Sequence, residues 1–163
     1  MKDSYLNREE LVKFIATLPT RRLAAGAVIR NEHGELLLVQ PNYKDGWILP
    51  GGTVEAGEAP KPGCFREVEE ELGLRLAPGR LLLVFHGLAR GVWGDSTYYM
   101  YDAGVIAKNT PVTLQTEELI TYEWVAPEQL QEYVNPGFAE RLHDCLRALR
   151  TGEVVEMSSD ERP

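Results

Sequence analysis

The chain has 163 residues, 44% of them hydrophobic, which is enough to form one domain with a sizeable core. Its net charge of −8 argues against a general binder of DNA, RNA or anionic membranes, because those surfaces are themselves negatively charged. The lack of an apolar run of about 18 residues, of a signal peptide and of a paired cysteine motif predicts a cytoplasmic protein in which Cys64 and Cys145 are buried thiols.

The first predicted element is an N-terminal helix. Residues 7–10 read Asn-Arg-Glu-Glu, which is the pattern of a capping box. Four apolar residues follow at helical spacing: Leu11, Phe14, Ile15 and Leu18. We therefore expect residues 1–19 to contain a helix that ends at Pro19 and packs on the main domain.

Two strands are expected next, over residues 22–30 and 35–40, because a turn of Asn-Glu-His-Gly lies between them. A short apolar strand then begins at Trp47 and runs into the pair Gly51 and Gly52. Glycine lets the backbone approach a metal or a phosphate closely and adopt a positive φ. A simple tight turn is the alternative interpretation of this pair.

The next segment is predicted to be a helix with prolines in its first turn, where an N–H group is not needed. Glu67, Glu70 and Glu71 lie at i, i+3 and i+4, so a helix brings their carboxylates to one face. Three like charges repel unless a cation neutralises them, and Mg²⁺ takes oxygen ligands of this kind. Arg66 can pair with a carboxylate such as Glu58 or Glu70 and hold it in one rotamer. Taken alone, the run also fits a solvated acidic helix face.

Residues 52–74 resemble the Nudix box without a mismatch. Seven letters of that pattern are fixed, and the chain has all of them: Gly52, Glu58, Arg66, Glu67, Glu70, Glu71 and Gly73. The resemblance is strict over residues 47–74 and looser over residues 22–150. It implies a fold of the α/β class, an α/β/α sandwich with a mixed β-sheet, to which this chain adds its N-terminal helix.

The same resemblance implies a magnesium-dependent hydrolase of a nucleoside diphosphate linked to another group, in which Mn²⁺ can replace Mg²⁺. The metal would be held by Glu67, Glu70, Glu71 and the carbonyl of Gly51. Water would attack a phosphorus of the diphosphate, and one carboxylate would take the proton.

Three carboxylates are candidates for that base, Glu67, Glu70 and Glu118, and Arg66 completes the expected catalytic set. Glu118 lies in a loop where family members often supply an extra metal ligand or a base. A solvent-exposed acidic turn is the alternative for Glu118.

Beyond the box, further elements are expected in this order: strands at 81–86, 97–107 and 120–125, then helices at 127–133 and 136–149. We place the hydrolase domain at residues 20–151. Residues 152–163 are polar and are expected to form a flexible tail.

Four residues outside the box are candidates for substrate binding: Asn135, Tyr99, Trp93 and Arg22. In members similar to the MutT type, an Asn at this place reads the base edge, although a helix N-cap would explain Asn135 equally. The two aromatic side chains could stack on a base, or they could pack in the sheet. The arginine could contact a phosphate or lie at a solvated strand edge.

The substrate class follows from what the chain lacks. The markers of family members that act on ADP-ribose, diadenosine polyphosphates or coenzyme A are missing, which leaves a nucleoside triphosphate or a nucleotide sugar. The expected partner is thus a small nucleotide, with no DNA, RNA or membrane binding, and a homodimer is compatible with the sequence.

Two other functions are kept open. Some proteins with this fold are ligand sensors, but those usually have a degraded box or an added DNA-binding domain, for which we expect no room here. Others are diphosphate isomerases, whose chemistry needs a catalytic cysteine, whereas Cys64 is expected to face the core.

Overall fold

Seven strands within residues 6–159, the part of the chain that the computed structural model describes, form one mixed β-sheet. The strands are β1 (Arg22–Arg30), β2 (Leu36–Pro41), β3 (Gly51–Thr53), β4 (Leu81–Gly87), β5 (Ser96–Val105), β6 (Leu119–Val125) and β7 (Val155–Ser158). Their order across the sheet is β6-β2-β1-β5-β4-β7, and β3 pairs with β1 as well. The pairs β1–β5 and β4–β7 are parallel and the others are antiparallel.

The helices begin and end at residues that suit helix termini. They are α1 (Arg8–Ala16), α2 (Pro60–Leu72), α3 (Leu130–Tyr133) and α4 (Pro136–Thr151), and a 3₁₀ turn at Pro127–Gln129 precedes α3. At the start of α4, the side chain of Asn135 accepts a hydrogen bond of 2.8 Å from the backbone N–H of Phe138. At the end of α2, Gly73 has φ +66°, a left-handed conformation that ends the helix with little strain.

Helices cover both faces of the sheet. The alternation of side chains along β2 sends Leu36 and Leu38 into one core and Leu37 and Val39 into the other. On the first face α4 contributes Phe138, Ala139, Leu142, Cys145 and Ala148. On the second face α2 contributes Cys64, Phe65, Val68 and Leu72. The predicted α/β/α sandwich with a mixed sheet is confirmed. None of the helices in residues 6–159 has the length and apolar character needed to cross a bilayer.

The two ends of the described chain differ from the sequence predictions. The capping box of Asn7 and Glu10 forms, but α1 has no buried residue, and its packing on the domain stays a prediction. Helical spacing predicts an apolar face but not a partner for it. The expected flexible tail is wrong over β7, which pairs with β4 in register Leu83↔Val155. Residues 1–5 and 160–163 lie outside the described residues.

The strand expected at Trp47 also differs. Ile48 makes one isolated bridge with Val39, and the true strand, β3, comes later, on Gly51–Thr53. Pro50 lacks an N–H group and cannot continue a ladder. Hydrophobicity predicted the strand at the apolar residues from Trp47 onward, whereas the backbone pairs with β1 at the following glycines, which allow close approach.

Candidate active site

The glycine pair is joined to the box helix through Glu71. Gly51 pairs with Gly26 of β1 and has φ +144°, and a Cβ at Gly51 would lie 2.1 Å from the carbonyl oxygen of Ala25. Only glycine fits there. Its N–H donates a hydrogen bond of 3.0 Å to Oε2 of Glu71, whose side chain is buried. Strand β3 and helix α2 are therefore fixed relative to each other by this carboxylate.

Arg66 is the centre of the charged network on α2. Its Nε and Nη2 donate to the two carboxylate oxygens of Glu58 at 2.8 and 2.9 Å, a bidentate arrangement. Its Nη1 donates to Glu70 at 3.0 Å, and Nη2 lies 3.2 Å from Oε1 of Glu67. Both partners named from the sequence, Glu58 and Glu70, are thus engaged. Arg66 orients carboxylates and itself lies away from the cleft lining.

Gly63 lies in α2 beside the side chain of Glu58. A Cβ at Gly63 would lie 2.5 Å from Oε1 of Glu58. The missing side chain therefore makes room for the carboxylate that holds Arg66. The hydrogen bonds from Arg66 lower the pKa of Glu58 to about 2, so Glu58 is ionised at neutral pH.

The three box glutamates have different surroundings. Burial, followed by the charges of Glu67 and Glu118, raises the pKa of Glu71 to about 8, against the opposing hydrogen bond from Gly51. Burial also raises the pKa of Glu67, and the positive charge of Arg66 opposes this rise. Glu70 is different again, because half of its side chain is exposed and it pairs with Arg66. The backbone of Glu118 is fixed by a hydrogen bond from Asn42, and the charge of Glu118 acts on both Glu67 and Glu71.

These residues fit a divalent cation only with help from substrate and water. Within residues 6–159, no three side chains of the types His, Cys, Asp and Glu converge into a ready ligand group. The spacing of the three glutamates implied one converged cluster. That cluster is not preformed, since the side chain of Glu70 accepts a hydrogen bond from Arg66. Mg²⁺ typically binds through one or two carboxylates together with substrate phosphates and water. Glu71 and Glu67 meet that need, and a cation would stabilise the anionic form of the buried Glu71.

A cleft of about 950 Å³ opens beside the glycine pair. At the acidic end its wall includes Gly51, Gly52 and Thr53. A Cβ at Gly52 would lie 3.0 Å from the carboxylate carbon of Glu67, so this glutamate is directly behind the wall. The other end is aromatic and is lined by Trp47, Phe85, Trp93, Tyr98, Tyr133 and Phe138.

One row of paired residues connects the two ends across the sheet. Thr53 pairs with Ala24, Ala24 with Tyr98, and Tyr98 with Phe85. Three strand spacings of roughly 4.8 Å place Phe85 about 14 Å from Thr53. All four residues line the cleft, so its floor is this face of the sheet.

Three of the four predicted substrate-binding residues line the cleft: Arg22, Trp93 and Asn135. The guanidinium carbon of Arg22 lies 4.8 Å from the centre of the Trp93 ring, and the ring itself is 65% exposed. Asn135 is exposed at the start of α4, and its oxygen is used by the helix cap. The alternative interpretation, a helix cap, is therefore satisfied without excluding a role for the amide nitrogen.

Tyr99 is the exception and requires a correction. It packs on the opposite face of the sheet, against the core under α2, with its ring 6.4 Å from that of Tyr101. Its neighbour Tyr98 is the residue that lines the cleft. Side chains alternate along β5, and the sequence does not say which set faces the cleft.

Sequence reasoning also missed Arg141 and Phe85, which come from α4 and β4. The guanidinium carbon of Arg141 lies 4.0 Å from the ring centre of Phe85 and 5.4 Å from that of Phe138. The available signal was the i, i+3 spacing of Phe138 and Arg141, which makes them neighbours on the surface of a helix.

The buried thiols are as expected. Cys64 and Cys145 are both free and fully buried, one in each core. Burial, with the negative charge of Glu71 adding to it, raises the pKa of Cys64 to about 12. A thiol of that kind is protonated at neutral pH and is a poor nucleophile. This geometry disfavours the isomerase alternative.

A family model of the NUDIX domain matches residues 20–147. The chain belongs to the Nudix family. The MutT-like protein of Streptomyces ambofaciens is 28% identical over 131 residues, covering 78% of this chain and 79% of that protein. The Nudix hydrolase 5 of Arabidopsis thaliana is 33% identical over 76% of this chain and 42% of that protein.

Solved structures agree with this Nudix assignment. The crystal structure of the MutT protein from Methanosarcina mazei Go1 has a TM-score of 0.67 and 28% sequence identity, covering 84% of this chain and 99% of that one. The resemblance carried by the box at residues 52–74 is confirmed as Nudix membership, and the box helix is α2 of the Nudix fold.

Proposed function

We propose that the protein is a magnesium-dependent Nudix hydrolase that cleaves a diphosphate linkage in a nucleoside triphosphate or a nucleotide sugar. The observation that carries this proposal is that one cleft joins two chemically different ends. A diphosphate and its metal match the end formed by Gly51, Gly52 and the glutamates behind them. A nucleoside matches the aromatic end, since bases stack on aromatic rings.

The groups that we propose as metal ligands are Glu67, Glu71 and the Gly51 carbonyl, with Glu70 joining after a rotamer change away from Arg66. Mn²⁺ would fit the same oxygen donors. When bound, the metal polarises the phosphoryl group, neutralises developing charge and lowers the pKa of a bound water.

The remaining roles belong to the protein's own side chains. Arg66 fixes the orientation of Glu58 and Glu70 through the hydrogen bonds described above, so we assign it a positioning role. Three carboxylates qualify as the base that takes the water proton: Glu67, Glu70 and Glu118. Single Gln variants of the three, compared by the pH dependence of kcat, identify it, because losing the base removes one ionisation from the profile.

Substrate contacts are proposed for the residues that line the cleft. Trp93 offers an exposed aromatic face at the rim, and Arg22, held over that face, offers a cation for a phosphate. Asn135 has amide N–H groups for a base edge. Tyr98 takes the place of Tyr99 in the cleft wall.

The deciding experiment is a panel of nucleoside triphosphates and nucleotide sugars, assayed for phosphate or pyrophosphate release with Mg²⁺ and with EDTA. We expect turnover of at least one class that requires the metal and is lost in Glu71→Gln. Glu69→Gln is the matched control, because Glu69 lies on the same helix but pairs with the exposed Arg75. A folded wild-type protein that cleaves no member of the panel, yet binds one, would favour the ligand-sensor alternative.

The cellular setting is part of the proposal. The cytoplasm suits a protein whose two cysteines are both free and buried. A homodimer and the lack of nucleic-acid binding stay predictions, which gel filtration and a titration with a mixed-sequence duplex would test.

A further inference from the structure

The aromatic end of the cleft contains a cation that the proposed chemistry at phosphorus does not use. Arg141 lies on α4, and its guanidinium carbon is within 4.0 Å of the Phe85 ring centre and within 5.4 Å of that of Phe138. A positive charge held against aromatic rings in a partly buried position is stabilised by their negative faces. Its N–H groups lie in the plane of the guanidinium, so it can serve several acceptors at once.

The position of Arg141 along the cleft indicates which part of a substrate it meets. Phe85 is three strands from Thr53, about 14 Å away at roughly 4.8 Å for each strand spacing. A diphosphate next to Gly51 and Gly52 therefore leaves Arg141 at the far end of the nucleoside. That end is the base.

A second polar residue on this wall is Asn135, the N-cap of α4, six residues before Arg141. Its Oδ1 already accepts the hydrogen bond from the N–H of Phe138 at 2.8 Å. The amide nitrogen, with two N–H donors, is what the side chain offers to a ligand. A guanidinium has donors and no acceptor. Both side chains therefore offer donors.

We propose that Arg141, with the amide nitrogen of Asn135, selects bases with a carbonyl oxygen at the position where adenine and cytosine have an amino group, so that guanine, hypoxanthine and uracil are preferred to adenine and cytosine. This inference rests on the proposed function, since it names the substrate class of the same cleft. The exocyclic amino group of adenine or cytosine would place its N–H donors against the N–H donors of Arg141 and Asn135, and neither set would have an acceptor. Arginine has its best bidentate fit with the O6 and N7 acceptors of guanine.

The test compares pairs of nucleotides that differ at one carbonyl position, namely ITP with ATP and UTP with CTP. In the wild-type protein with Mg²⁺, we expect kcat/KM to favour the carbonyl partner of each pair by about tenfold or more, the discrimination typical of a good bidentate contact. Binding of IMP and of AMP without metal provides a second readout, and we expect the same preference there.

Arg141→Met removes the donors and should reduce both preferences to about twofold or less. Arg147→Met is the matched control, because Arg147 lies on the same helix, is 55% exposed and pairs with Asp144. It should keep the wild-type preference. If Arg141→Met does not fold, Arg141→Lys keeps the charge without the planar fork and should lower the preference of ITP over ATP.

Several results would overturn the inference. The first is equal kcat/KM for ITP and ATP in the wild-type protein. The second is an unchanged base preference in Arg141→Met, or in Arg141→Lys if only that variant folds. The third is a loss of preference in Arg147→Met as large as that in Arg141→Met. The failure of the proposed function is a different result, in which none of the four nucleotides is cleaved. In that case the comparison of IMP with AMP binding still decides the role of Arg141, and equal affinities would overturn it.

Discussion

The acidic end of the cleft comes from one continuous segment, residues 51–71, whereas the aromatic end is assembled from β1, β4, β5, α3 and α4. In the first, a single glutamate, Glu71, joins the glycine pair to the helix by a hydrogen bond. In the second, residues far apart in sequence, such as Trp47 and Tyr133, meet edge to face at 5.4 Å. The acidic end holds groups that every diphosphate needs, and the aromatic end holds groups that can differ between substrates.

This contrast predicts a separation of effects. Changes at the acidic end should lower turnover of every substrate alike. Changes at the aromatic end should alter KM and the preference among bases and leave metal dependence unchanged.

The largest effect is expected for Glu71→Gln. A neutral amide replaces the buried carboxylate, and the loss of metal neutralisation at the phosphate should lower kcat/KM by roughly 10³-fold, several kcal/mol of transition-state stabilisation. Glu70→Gln should lower it less, because Glu70 is half exposed and pairs with Arg66. Steady-state assays over a Mg²⁺ titration measure both. Full turnover in EDTA, or wild-type rates in both folded variants, would contradict the metal mechanism.

The second effect belongs to the aromatic end. Asn135→Ala should raise KM for the preferred nucleotide by about tenfold or more and flatten the base preference, since lost hydrogen bonds in such a site cost on the order of 1–3 kcal/mol. The variant also loses the cap that binds the N–H of Phe138.

Asn135→Ser separates these two losses, because serine is a good N-cap but lacks the amide N–H donors. If Asn135→Ser lowers the base preference while the melting temperature stays near wild type, Asn135 binds the substrate. If both variants keep the preference, Asn135 is a helix cap and Trp93 becomes the better candidate.

A smaller effect is expected for the two thiols, which lie one in each core. Cys64→Ala and Cys145→Ala should each lower the free energy of unfolding by about 1–2 kcal/mol through small cavities and leave turnover unchanged. Cys145 contacts Sδ of Met100 at 3.3 Å, and no group in the mechanism depends on it. Denaturant titration and a rate assay give the two quantities. Loss of activity in a folded Cys64→Ala variant would restore the isomerase alternative.

The last predicted effect is on thermal stability and depends on pH. Glu71 has a folded-state pKa of about 8 against an ordinary 4.5, so the folded state binds the proton more tightly than the unfolded state. Without metal, stability should therefore fall as pH rises from about 4.5 through 8. Mg²⁺ at ten times its Kd adds about 1.4 kcal/mol by mass action.

The rise in melting temperature with Mg²⁺ should accordingly be larger at pH 8 than at pH 5, where protons compete for Glu71. Glu71→Gln should remove the part of this pH dependence that comes from Glu71. A scan of the wild-type protein with millimolar Mg²⁺ and a product nucleotide that shows no shift at either pH would count against an assembled metal site.

Residues that are adjacent or close in the sequence can have different surroundings in the structure, and this limited the sequence predictions. Glu67, Glu70 and Glu71 were identified as one acidic face from their spacing, but the pairing of Glu70 with Arg66 depends on rotamers and appears only in the structure. Tyr99 was chosen, whereas Tyr98 is the residue that lines the cleft, because alternation along a strand does not say which set of side chains faces the cleft. The close approach of Glu58 to Gly63 likewise appears only in the structure.

The sequence by itself determined most of the elements and the chemistry carried by continuous segments: the hairpin of β1 and β2, the box helix, the sandwich class and the family. Local spacing and capping specify these features, so one-dimensional information is sufficient. Only the tertiary structure decided the burial of Glu71, the pairing of β7 with β4 and the meeting of Arg141 with Phe85. These contacts join residues far apart in the chain, and their energies depend on desolvation and packing that no local pattern records.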